Sequence, residues 1–157
     1  MNDFFYKKLD AYQIAKELTM YVYSLLRNYP SFEQHALCDQ LRRAVVSVPS
    51  NIAEGMGRMG IKERLHFIEI SYASMAEVLC QLDISESLGY ITLEELQKAE
   101  EISDRLARVM AGLRKSLKSK INIDEWEGGE ELEYSHSTLL TPHSTKKTKN
   151  LWTKFRT

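Results

Sequence analysis

The sequence predicts an all-α protein, an antiparallel up-down-up-down four-helix bundle followed by a C-terminal extension. Three observations predict it. Apolar residues recur at alternating steps of three and four through four long segments, the spacing of one helix face. Short stretches rich in turn residues separate those segments. No segment shows the strict alternation of a half-buried strand, and helices joined by short turns pack antiparallel to their neighbours.

The first helix is expected from about Lys8 to Tyr29, with Ala11, Ala15, Leu18, Val22, Leu25 and Tyr29 along its seam. Pro30 ends it, because proline disfavours helix in the residue before it. Ser31 and Gln34 have capping-box spacing, so the second helix is expected to open there. Its seam is Leu37, Leu41, Ala44, Val45, Val48 and Ile52, and it should run to about Gly55. Pro49 falls inside it and should kink it, since proline lacks the amide that bonds the carbonyl of Val45.

The stretch GMGRMG, residues 55–60, reads as a turn because glycine weakens a helix. The third helix, about Ile61 to Leu88, has the seam Ile61, Leu65, Ile68, Tyr72, Met75, Leu79 and Leu82, with Gly89 as its terminator. Thr92 and Glu95 form a second capping-box pattern. The fourth helix then carries Leu96, Ala99, Ile102, Leu106, Val109, Leu113 and Leu117.

These segments divide the chain into a bundle, residues 1–121, and a polar tail, residues 122–157, expected to be mobile. Residues 1–121 hold 16 basic and 16 acidic side chains. The tail carries six acidic side chains in 124–133 and five basic ones in 146–156. Leu151, Trp152 and Phe155 lie in the basic block, so that segment is either a solvated extension or a docking element. A net charge of −1 argues against a generic polyanion binder. The opening MNDFFYKKLD has no signal-peptide core and no run approaches a membrane span, so a cytoplasmic protein with no membrane partner is expected. Cys38 and Cys80 belong to no metal-binding spacing and are expected as buried, reduced thiols.

Catalytic chemistry has no foothold here. Glu63 and His66 have the spacing of a di-iron bundle, but such a site needs a second Glu-x-x-His. His35 has Phe32 at the matching position. Ser47 and Ser50 lack any local partner that would activate a nucleophile. The expectation is a protein that is not an enzyme and has no cofactor and no metal.

The outer faces say more. Val46 and Ser50 lie opposite the seam of the second helix with Arg43, and Pro49 and Ala53 flank them. Ile70, Ala73, Ser74 and Leu88 form an outer face on the third helix, with Phe67 nearby. Leu9, Tyr12, Met20 and Tyr23 do so on the first. Three helices with a second apolar or small-residue stripe predict a homo-oligomer. Arg42, Arg43, Arg58, Lys62 and Arg64 are candidates for a phosphate-binding patch, repeated in each subunit. Ion pairing is the alternative for these cations, for example Arg42 with Glu77. Arg105, Arg108, Arg114, Lys115 and Lys118 offer a second basic strip.

The run QLRRAVVSVPSNIAEGMGR, residues 40–58, with AYQIAKELTMYVYSL before it and HFIEISYASMAEVLCQLDISESLGY after it, resembles the 23S rRNA-intervening-sequence protein family. That family includes the accessory variability proteins of diversity-generating retroelements. The likeness spans about residues 4–121. It implies a ring-like homopentamer of four-helix bundles with RNA or DNA, or a reverse transcriptase, as partner. It carries nucleic-acid contact onto Arg42, Arg43 and Arg58, and more weakly onto Lys62 and Arg64. Asn51 and Glu54 are expected to hold the helix-two turn together. A protein-interaction scaffold with no nucleic-acid ligand is the alternative function.

Overall fold

The computed structural model describes residues 5–121. The expected tail, residues 122–157, lies outside the described residues. Four helices carry the fold: α1 (Asp10–Leu25), α2 (Leu37–Gly57), α3 (Ile61–Ser87) and α4 (Leu93–Lys118). Short 3-10 turns, Phe5–Lys8, Leu26–Asn28 and Ser31–Glu33, precede α1 and link it to α2. Each of α1 and α3 packs against both α2 and α4, and α2 against α3 is the most extensive interface. This is the up-down-up-down arrangement that the short connections require.

The seams of α1 and α2 follow the periodicity of the sequence, with Leu37 half-buried at the start of α2. On α4, Leu96, Ala99, Ile102, Leu106 and Leu117 are buried as expected. Val109 and Leu113 are only half-buried there, and Ala107 and Met110 are buried instead. Leu18, Leu41, Ile52, Leu82 and Leu106 are among the largest fully buried side chains. Burying each such aliphatic group contributes about 1.5–3 kcal/mol. The start of α4 is as expected: Glu95 N–H donates to Thr92 Oγ1 and Thr92 N–H to Glu95 Oε2, at 3.2 and 2.8 Å. So is the end of α3. Gly89 takes a φ of +75°, and Tyr90 N–H reaches the Ser85 carbonyl while Gly89 N–H reaches that of Glu86, the two bonds of a Schellman motif.

Three expectations need correction. First, Ser31 and Gln34 do not open α2. Ser31–Glu33 is a 3-10 turn, α2 begins at Leu37, and the Gln34 side chain accepts from Arg42 instead, at 2.6 Å. Glu33 supplies the carboxylate at the helix start, accepting from Leu37 N–H at 3.2 Å, where the positive end of the helix dipole favours it.

Second, α3 is rotated relative to the expected seam. Ser71, Ser74, Val78 and Ser85 are buried, whereas Tyr72 and Leu79 are only half-buried. Ser74, expected on the outer face, bonds Ser47 of α2 at 2.9 Å. Serine is small enough to let α2 approach and brings its own hydrogen bond, so polar residues occupy an interface that apolar periodicity does not mark. Third, Cys38 is buried but Cys80 is exposed.

Candidate functional site

The segment SVPSN, residues 47–51, occupies the middle of α2, which is helical through Pro49. Val45 is the residue whose carbonyl loses its usual partner there. Thr19 of α1 points its hydroxyl at that carbonyl, 3.2 Å away, and at its own Ala15 carbonyl, 2.9 Å away. On the opposite side Ser71 Oγ donates to the Val48 carbonyl at 2.8 Å. Asn51 Nδ2 donates to Ser47 O and Oγ, both at 2.8 Å. The Thr19 and Ser71 hydroxyls thus fasten α2 to both neighbours. Asn51 therefore bonds within the middle of α2, to Ser47, and not at the turn that follows the helix.

At the end of α2 the helices approach closely. A methyl group on Gly55 would lie 2.8 Å from Phe67 Cβ and 3.3 Å from the Arg64 carbonyl, inside contact distance. Phe67 also lies under the Arg58 guanidinium, 4.7 Å from carbon to ring centroid. Arg58 pairs with Glu54, and Arg64 Nε donates to the Arg58 carbonyl at 2.7 Å. Lys62 is exposed in the first turn of α3.

Arg42 and Arg43 lie elsewhere. Sixteen residues separate Arg42 from Arg58, about 24 Å along α2 at 1.5 Å per residue. Arg42 is held by the Gln34 carbonyl at 3.2 Å, the Gln34 side chain, and Asp39 at 2.9 Å. Its ionic partner is therefore Asp39, not Glu77, which accepts from Gln81. Arg43 is exposed and has no ionic partner among the described residues. On α4, Arg105 pairs with Glu17, Arg108 with Asp104, and Arg114 with Glu69.

Of the outer-stripe residues, Tyr23, Val46 and Ser50 are exposed, whereas Tyr12, Pro49, Ala53, Phe67 and Ile70 are half-buried. Val46, at 42 % exposure, is the largest apolar side chain presented along the middle of α2. His66 is exposed, and no group of three or more metal-ligating side chains occurs among the described residues.

Antiparallel packing also sorts charge between the two ends of the bundle. A shallow cleft lined by Gly60, Ile61, Lys62 and Ile121 joins the α2–α3 turn to the end of α4. Residues 5–10, 54–64 and 111–121 meet at this pole and hold nine Lys/Arg against three Asp/Glu. At the other pole, Tyr90 packs at a tilt against Tyr29 and edge-on against Phe32, and its hydroxyl donates to Glu33 at 3.1 Å. Residues 26–39 and 83–101 meet there and hold eight Asp/Glu against two Lys/Arg. The balanced charge of the bundle is thus a basic pole opposite an acidic one. The basic pole includes Arg58, Lys62 and Arg64, but neither Arg42 nor Arg43.

Four antiparallel helices tied by small polar contacts define an all-α four-helix bundle. Residues 7–112 match the model of the 23S rRNA-intervening sequence protein family. The chain belongs to that family, and its family and fold make it a non-enzymatic four-helix-bundle protein. No curated protein matches it. No helix among the described residues is long and apolar enough to cross a membrane.

Proposed function

We propose that this protein acts as a homo-oligomer that holds RNA, alone or within a ribonucleoprotein, by its phosphate backbone. The observation that carries this reading is the concentration of nine cations against three anions at one pole of a charge-balanced bundle. Arg58, Lys62 and Arg64 are its contacts on the α2–α3 turn. Arg43 is a separate contact on the outer face, and Arg42 chiefly holds the start of α2. The family's description, which names an intervening sequence of 23S rRNA, supports RNA as the ligand. A reverse transcriptase is the protein partner that the family resemblance implies. Phosphate contact fixes position without reading bases, so little sequence preference is expected.

The lateral stripe of Tyr12, Tyr23, Val46, Pro49, Ser50, Ala53 and Ile70 supports assembly, with a pentameric ring as the form the resemblance implies. Each subunit then repeats the basic pole, and weak phosphate contacts add. The same stripe favours a second reading, a protein-interaction scaffold with no nucleic-acid ligand. Salt separates the two. Binding to single-stranded RNA should weaken with a logarithmic slope of about 0.7 per phosphate contact, whereas an apolar protein contact should be little affected. The test measures RNA binding by the full chain and by Lys62→Glu/Arg64→Glu across a salt series, with mass followed by light scattering. Salt-dependent binding lost in an intact oligomer supports the RNA reading. Absence of binding at low salt removes it.

A further inference from the structure

We infer that the two poles of the bundle are a complementary pair, and that a second copy of this chain docks its basic pole against the acidic pole of the first. The inference starts from apolar side chains that the fold leaves uncovered. At the acidic pole Phe32 is 72 % exposed and Leu88 and Leu93 are 53 % and 54 % exposed. Phe32 lies on the connection into α2 and packs edge-on against Tyr90 of the α3–α4 turn, while Leu88 and Leu93 flank that turn. Isolated exposed hydrophobes are ordinary, but these share one end with eight carboxylates. At the basic pole Phe5 and Met59 are 67 % and 92 % exposed, among nine cations. Each end therefore offers apolar groups within charge of one sign, and the two signs are opposite.

The arithmetic selects a second copy as the occupant. Nine cations against three anions at one pole face eight anions at the other. The second pole has two cations, or three with Arg42, which bonds Gln34 and Asp39 there. The poles therefore carry formal excesses of opposite sign. Residues 1–121 are neutral in sum, and no net repulsion opposes the approach of two bundles. Charge complementarity steers and orients such an encounter, and apolar groups at the contact add the non-directional part. The contact is heterologous, one pole against the other, so it propagates along the bundle axis instead of closing as a two-fold dimer. It is distinct from the lateral stripe of the proposed oligomer and does not depend on RNA binding.

The experiment measures the mass of the full-length, RNA-free chain by light scattering at low and high salt. Two charge-reversed variants accompany it: Asp83→Lys/Glu94→Lys at the acidic pole and Lys115→Glu/Lys120→Glu at the basic pole. All four positions except Lys120 lie in helices and all are exposed. Lys115 and Lys120 belong to the nine cations of the basic pole, so mass is read on RNA-free protein. Circular dichroism checks that both variants keep wild-type helix content. The wild type should rise in mass by roughly twofold or more when salt is lowered and the Debye length grows past the contact distance. Each variant alone should keep its high-salt mass. An equimolar mixture should regain a low-salt increase, because the first variant keeps an intact basic pole and the second an intact acidic one. A wild-type mass independent of salt, variants that behave as wild type, or a mixture that fails to recover would each overturn the inference. Binding of poly-lysine by a wild type that does not self-associate would overturn it as well, and assign the acidic pole to a basic protein partner.

Discussion

Thr19 Oγ1 of α1 lies 3.2 Å from the carbonyl oxygen of Val45 in α2. That carbonyl stands four residues before Pro49, which has no amide to offer it. The proline removes a bond within one helix, and a hydroxyl on the neighbouring helix takes up the vacated acceptor. A local defect in α2 thereby becomes a tie between α1 and α2, and this explains a proline in the middle of a buried helix.

Thr19→Val should therefore destabilise the chain by about 1–3 kcal/mol, the cost of leaving a buried acceptor unmet, while Thr19→Ser retains most of the stability. The cost of Thr19→Val should shrink in a Pro49→Ala background, where residue 49 regains an amide for Val45. Urea unfolding of the four combinations measures this coupling. Equal costs in both backgrounds would show that the Thr19 hydroxyl serves only its own helix.

Gly55→Ala should destabilise by about 1–3 kcal/mol through overpacking, because its methyl group would sit 2.8 Å from Phe67 Cβ. Glycine is required at this position for close approach and not for backbone freedom. Gly55→Ala/Phe67→Leu tests that account: the β-carbon clash survives in both, so the loss should persist, whereas a clash with the ring alone would be relieved.

The thiols should separate cleanly. Cys80 is exposed and Cys38 buried, and burial pushes the Cys38 thiol above its ordinary pKa. Only the thiolate reacts readily. A disulfide reagent near neutral pH should modify Cys80 fast and Cys38 only as the chain unfolds. Cys80→Ser should abolish the fast phase; a fast phase that survives would place Cys38 in contact with solvent.

The buried Tyr29 makes stability fall at alkaline pH. Burial raises its pKa above the ordinary 10.0, so the folded chain holds a proton that the unfolded chain releases. The stabilisation is complete below pH 10.0 and is lost as pH rises through the raised value. Tyr29→Phe should flatten that part of the fall above pH 10.0. Chemical denaturation of both proteins across that range measures it, and parallel curves would remove Tyr29 as the cause.

The seams of α1 and α2, and the first half of that of α4, were legible because apolar residues mark them. The seam of α3 was not, because Ser71, Ser74 and Ser85 fill positions where apolar periodicity records nothing. Gln34 carried a misleading cap signal, since its side chain serves Arg42. The five candidate cations read as one patch along the sequence, but a helix is long: Arg42 and Arg58 stand at opposite ends of α2. The poles themselves were invisible in the charge balance of residues 1–121, because each is assembled from segments dozens of residues apart. Antiparallel topology brings Lys62 to Ile121, and Glu33 to Tyr90.

Under the proposed function most of the RNA contact lies at the basic pole, and Arg43 of α2 is a lesser, separate contact. The most direct measurement compares single-stranded RNA binding at low salt by the wild type, Lys62→Glu/Arg64→Glu, and Arg42→Glu/Arg43→Glu, with oligomeric mass checked for each. The pole variant should lose most binding as an intact assembly, whereas the α2 variant should lose less binding and should lose stability at the start of α2. Full binding by the pole variant, with loss confined to Arg42→Glu/Arg43→Glu, would contradict the proposed function.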